Sequence, residues 1–225
     1  AGQLSVSSDA YEPLTAERLD ILKRTMPSHT LPARPVDVFD TDLARIWQLT
    51  DTRRGRLDII GLYNWDDGEY SFDIPLARLG LDAGKTYAAF DYWANAPVPA
   101  FTGSLQRTLP RHQCQVLAIR EVVDRPQVLS TSRHICQGVV DMTSEKWDAA
   151  GKTLAAASNV VADDPYEARI LTATTAGAKK ASKVEVSAAD KAVGVTATIK
   201  ADGDVCRVTI HSPASREVSW AVTFE

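Results

Sequence analysis

The sequence predicts a mainly β protein: two antiparallel β-sandwich units preceded by one βα unit. Three observations point there. Short runs rich in Ile, Val, Leu, Trp and Tyr recur every 10–15 residues or so from about residue 44 onward. Gly, Pro and Asp punctuate them, as turns require. One segment near the start, and only one, has the marks of a helix with ends. At 225 residues the chain has room for one or two domains of ordinary size.

The opening comes first in order. Leu4–Ser8 alternates like a short strand. Thr15 is placed as an N-cap for a helix over 16–24, with Glu17 in the first turn and Lys23 and Arg24 in the last, as the helix dipole favours. Pro27 stops it. Pro32 and Pro35 hold an extended linker to residue 35, because each biases the preceding residue away from helix. A lone βα unit cannot bury both faces of its strand, so this piece reads as the end of something larger.

From Val36 to Pro126 a first sandwich is expected. Its strands are placed at Ala44–Leu49, Leu57–Tyr63, Tyr70–Ile74, Thr86–Trp93, Ser104–Leu109 and Gln113–Arg120, with turns at 65–69 and 79–84. A second sandwich is expected over 127–225. Strands there are placed at Val128–Ser132, Val139–Met142, Thr153–Val161, Tyr166–Ala173, Lys183–Ser187, Gly194–Lys200, Val205–His211 and Ser219–Phe224. Ala201-Asp202-Gly203-Asp204 is a hairpin signal. Composition changes at the join: residues 1–126 hold 12 Arg, 2 Lys and 9 Pro, against 4 Arg, 7 Lys and 2 Pro in 127–225. The Ala-rich stretch 154–157 is assigned to a strand because Ser158-Asn159-Val160-Val161 follows without a helix stop.

Charge and composition exclude several classes. A net charge of −4 without a basic stripe argues against a nucleic-acid partner. No apolar run reaches the roughly 18 residues of a spanning helix, so no membrane association is expected. The first residues carry neither a basic nor a long apolar region, so no signal peptide is expected there. Cys114, Cys136 and Cys206 are too few and too scattered for a disulfide scaffold or a zinc knuckle. His29, His112, His134 and His211 are isolated, so no metal is expected, and no phosphate or dinucleotide loop is present, so no cofactor is expected.

Few residues look equipped for catalysis. Ser130, Ser132 and His134 are close in sequence, but neighbours on a strand point to opposite faces. Glycosidic chemistry needs two facing carboxylates, about 5–5.5 Å apart for retention. Asp66-Asp67 and Asp163-Asp164 read as turn pairs. Asp9 follows the first strand, where barrel enzymes place substrate-binding groups. Aromatics supply the other candidates, since sugars stack on exposed rings. Trp47, Tyr63 and Tyr92 fall inside strands and read as core. Trp65 and Trp93 lie at strand ends and are the better ligand contacts.

The run Leu4–Asp9 followed by Leu14–Leu22 resembles the last βα unit of the catalytic barrel in α-galactosidase-like glycoside hydrolases, the melibiase type of families 27 and 36 and their relatives. Leu31–Phe39 and Ile60-Gly61-Leu62-Tyr63-Asn64-Trp65 are similar to the linker and first strands of that family's C-terminal β-sandwich. Ser130–Ile135 and Asp164–Glu167 are similar to the extra tail of bacterial members. The resemblance implies that residues 1–35 are a residual barrel unit and that the family's two catalytic aspartates belong to earlier barrel strands, which this sequence lacks. No catalytic residue is therefore assigned; Asp9, Trp65 and Trp93 are the expected substrate-binding residues. The implied partners are the missing barrel and a carbohydrate, with a homodimer through the uncovered N-terminal unit as a further expectation. An extracellular or periplasmic location is implied by the resemblance alone. The rival reading is a free-standing carbohydrate-binding or adhesion module.

Overall fold

A computed structural model describes residues 15–225. The expected strand at Leu4–Ser8, and with it Asp9, lies outside the described residues. The expected helix is present as α1 (Ala16–Thr25), and the Thr15 hydroxyl caps it by accepting the Arg18 N–H at 3.3 Å. No side chain of α1 is buried, and Leu19 and Ile21 are exposed on it while Leu22 is half-buried. Polar ties hold the helix instead. Arg24 forks onto Asp164 at 2.8 and 3.0 Å, and the Arg24 and Lys23 carbonyls accept from the Ile135 N–H and the Arg133 guanidinium.

The next eight strands are β1 (Arg34–Pro35), β2 (Ile46–Asp51), β3 (Leu57–Tyr63), β4 (Tyr70–Pro75), β5 (Tyr87–Asp91), β6 (Ala96–Phe101), β7 (Ser104–Leu109) and β8 (Cys114–Glu121). Six form one antiparallel sheet in the order β1-β2-β3-β8-β5-β6, and the β4-β7 pair covers one of its faces. Between them lie Ile60, Leu62, Phe72, Leu76, Leu105 and Leu117. The β4 strand alternates as expected, with Phe72 and Ile74 inward. Strands β3, β5 and β8 are buried on both faces, so their sequences run apolar without alternating. Strand β6 has no counterpart among the expected strands. Pro97 and Pro99 argue against a central strand, and β6 is accordingly the edge of its sheet, where a missing N–H costs nothing.

The remaining strands are β9 (Gln127–Thr131), β10 (Met142–Asp148), β11 (Thr153–Val160), β12 (Tyr166–Leu171), β13 (Ala181–Val186), β14 (Thr196–Asp202), β15 (Val205–His211) and β16 (Arg216–Phe224). They make two four-stranded antiparallel sheets, β10-β11-β16-β13 and β14-β15-β12-β9. Leu154, Tyr166, Ile170, Val208, Trp220 and Val222 fill the space between. The Ala-rich stretch is strand β11. Gly203 supplies the positive φ of the β14–β15 hairpin. A short helix α2 (Ala188–Ala192), capped by Ser187, was not expected.

One expected strand is corrected. Val139–Met142 is not a strand; residues 136–141 form turns, with Gln137 and Gly138 at positive φ, and β10 starts at Met142. That turn segment packs on the sheet face opposite β4-β7: Cys136 and Val139 join Leu49, Ile59, Tyr92 and Val116 in one cluster. Beside it, Ala88 and Phe90 of β5 meet Leu129, Leu171 and Val205. Arginines stitch this seam. Arg120 donates to the Val128 and Arg54 carbonyls and to Glu145, while Arg54 donates to the Gly138 and Met142 carbonyls. Arg169 lies with its guanidinium 4.8 Å from the Phe90 ring centre.

Candidate functional site

The outer face of the six-stranded sheet carries a cavity of about 370 Å³. Strands β2, β3 and β8 form its floor with Leu49, Ile59 and Val116. The chain after α1 forms one wall and residues 134–136 another. Its aromatic side is set by register. Trp47 of β2 pairs with Gly61 of β3, and the Tyr63 ring folds back over Gly61. A Cβ at Gly61 would lie 3.1 Å from Tyr63 Cε2, so the absence of a side chain there is what lets the ring lie down. Trp47 and Tyr63, expected in the core, instead border this cavity; Tyr92 is buried as expected.

Trp65 continues the aromatic row. Its ring stacks on Tyr63 at 5.3 Å and 5°, and its Nε1 donates to the Ala44 carbonyl at 3.1 Å. It is 46% exposed and lines a second, shallower depression with Val38, Phe39, Leu43 and Arg45. Asp37 shapes the loop that carries Phe39, its buried carboxylate accepting the Arg45 and Ile46 N–H groups. Phe39 at the tip is 99% exposed. Arg45 lies over the Tyr70 ring and forks onto Asp66, and that contact lowers the Asp66 pKa from its ordinary value. Trp93 is 40% exposed and stands edge-on to Tyr92, but it lines neither cavity. The two expected tryptophans therefore do not share a cavity.

Behind the aromatic side, His29, His134 and Cys136 come together, a grouping that no sequence spacing announced. Cys136 Sγ lies 2.9 Å from His29 Nε2, and His134 Nδ1 accepts the Cys136 N–H at 3.1 Å. Burial pushes the Cys136 thiol up to about 12 and lowers both imidazoles, so all three groups are neutral at neutral pH. Among the described residues no group of three or more His, Cys, Asp or Glu is placed to hold a metal ion. Ser130 and Ser132 do not approach His134: Ser130 donates to Gln137, and Ser132 accepts the Glu167 N–H.

Three of the four carboxylates in the adjacent pairs are committed elsewhere. Asp66 serves Arg45, Asp67 meets His112 at 3.0 Å, and Asp164 serves Arg24. Among the described residues the carboxyl whose pKa is raised is Asp141, through complete burial. It accepts the Tyr166 hydroxyl at 2.8 Å inside the second core. What the outer face offers chemically is adsorption: ring faces, hydroxyls and neutral donors.

The fold defines a β-sandwich module. Residues 44–119, from the approach to β2 into β8, match the family model of the alpha galactosidase C-terminal beta sandwich domain. The matched stretch is about a third of the chain, and it makes the first sandwich similar to the C-terminal accessory domain of alpha-galactosidase-like proteins. No curated protein matches the chain.

Proposed function

We propose that the chain is the non-catalytic C-terminal β-sandwich region of an α-galactosidase-like glycoside hydrolase acting on α-linked sugars, and that its role is to pack against the catalytic barrel. The match over residues 44–119 carries this reading. Two features support it. Helix α1 buries none of its side chains and leaves Leu19 and Ile21 to solvent, as a helix taken from a larger packing arrangement would. Phe39 stands free at a loop tip that Asp37 holds in place. In this reading α1 and the Phe39 loop are the docking elements, and the acid and the nucleophile lie on the barrel.

The test mixes the chain with the barrel of an α-galactosidase-like hydrolase lacking its own sandwich, and measures association by calorimetry. Burying a Leu or Phe side chain contributes about 1.5–3 kcal/mol. Leu19→Asp or Phe39→Asp should therefore weaken association by roughly ten- to a hundredfold. Absence of association, or self-association through α1 in its place, refutes the docking role.

A further inference from the structure

We propose that Cys136 and His29 form a two-ligand site for a soft monovalent cation, Cu(I). The two residues are far apart in the chain, yet Cys136 Sγ and His29 Nε2 lie 2.9 Å from each other on the cavity wall. In the neutral pair the thiol donates to Nε2 and the ring keeps its own proton on Nδ1. A sulfur and a nitrogen lone pair thus converge on one proton, and a metal ion in its place satisfies both. Thiolate with imidazole is a donor set that soft copper takes. His134 supports the pair without joining it. Its Nδ1 accepts the Cys136 N–H at 3.1 Å, which fixes the backbone carrying the sulfur and leaves the proton of the neutral ring on Nε2. Among the described residues neither His29 Nδ1 nor His134 Nε2 has a hydrogen-bond partner, although both atoms are buried. Gathering two imidazoles and a thiol in an apolar wall therefore costs stability, and packing alone does not account for it.

Charge and ligand number choose the ion. Among the described residues no Asp, Glu, Lys or Arg lines the cavity, so the thiolate is the one anionic donor there. A monovalent ion leaves the site neutral, whereas a divalent ion leaves a net positive charge in an apolar wall, which is costly. Burial opposes a bare thiolate but not a thiolate that carries a cation. No third His, Cys, Asp or Glu among the described residues is placed to complete a ligand set, and structural Zn(II) requires four. Two donors suffice for linear Cu(I). Metal bonds of about 2.0 Å to nitrogen and about 2.3 Å to sulfur put the two atoms roughly 4.3 Å apart in such a site. The pair must open from 2.9 Å, and the cavity of about 370 Å³ that both side chains border gives the room. On loading, the S–H bond breaks and its proton leaves to solvent, Cu–S and Cu–N bonds form, and no electron is transferred. His29 follows α1, and Cys136 lies in the turns that cover the sheet face. The ion therefore ties the segment behind α1, a helix that buries no side chain, to the body of the protein.

The test titrates the whole chain with Cu(I) in the absence of oxygen, against a chromogenic Cu(I) chelator. A Cys114→Ser background removes the exposed thiol. X-ray absorption reads the ligands, and thermal unfolding compares loaded with unloaded chain. One ion per chain is expected, with one sulfur and one nitrogen ligand and a raised Tm. Cys136→Ser should abolish binding. His29→Ala should weaken it at least roughly tenfold, the least that losing even a supporting group costs a metal site, and cancel most of the rise in Tm. His112→Ala, at an exposed histidine, should change neither. If Cys136→Ser loses its strand signal in circular dichroism, the half-buried His29 decides the question through His29→Ala. No bound copper, a sulfur-only site, undiminished binding in His29→Ala, an unchanged Tm on loading, or Zn(II) held as tightly as Cu(I) overturns the proposal. No barrel takes part in this assay, so its failure and failure of the docking role are separate results.

Discussion

Replacing Glu145 by Ala attacks the seam between the two sandwiches at its most enclosed point. Arg120 and Glu145 are 4% and 3% exposed and lie 2.8 Å apart. Arg120 Nη1 also donates to the Val128 carbonyl at 2.6 Å and Nη2 to the Arg54 carbonyl at 2.7 Å, while the second Glu145 oxygen accepts the Val128 N–H at 3.3 Å. Removing the carboxylate leaves a guanidinium in the interior with carbonyl dipoles but no counter-ion. Breaking a buried pair in this way costs about 3–5 kcal/mol. In a chain of this size each kcal/mol shifts Tm by about 2–4 °C, so the fall should be roughly 6–20 °C. Thermal and urea unfolding followed by circular dichroism measure the fall in Tm and the loss of free energy. A loss below about 1 kcal/mol, the worth of a surface pair, would refute the reasoning. A double replacement, Arg120→Met with Glu145→Leu, should recover most of the loss, since the pair is costly to bury in the first place.

Further outcomes follow from the core. Burial raises the Asp141 pKa in the folded chain above its unfolded value of about 3.9. The folded state then holds a proton that the unfolded state releases, so stability falls as pH rises above about 4. Asp141→Asn can still accept the Tyr166 hydroxyl and removes that dependence. The difference in urea midpoint between Asp141→Asn and the parent should therefore grow from pH 4 toward pH 7, and a constant difference would contradict it. Trp220→Phe should cost about 1–3 kcal/mol in the same assay, because it strips the Ser158 hydroxyl of its 3.0 Å partner in a sealed core.

Much of the strand framework is legible in the residues themselves. Leu57–Tyr63, Ser104–Leu109 and Val205–His211 announce strands at the positions where β3, β7 and β15 lie, and Thr15 with Glu17 announces α1. The misses have a common cause: a local pattern overridden by a distant partner. Strand β10 shows no apolar alternation because its Glu145 faces Arg120 of the other sandwich rather than a hydrophobic core. The apolar pair Val139-Val140 resembles a strand but belongs to turns that cover a sheet face. Pro97 and Pro99 hide an edge strand. The cavity is the least legible part. Trp47 inside a strand reads as core, and only its register with Gly61, and Tyr63 folding over that glycine, places it at a cavity wall. The remaining walls come from residues 25–33 and 134–136, far apart in the chain.

A turnover assay of the purified chain on a chromogenic α-galactoside is the most direct trial of the proposed non-catalytic role. The expected result is a rate no different from buffer, across a pH range from acid to neutral. Hydrolysis that copurifies with the chain and disappears when one of its own carboxylates is replaced would contradict it.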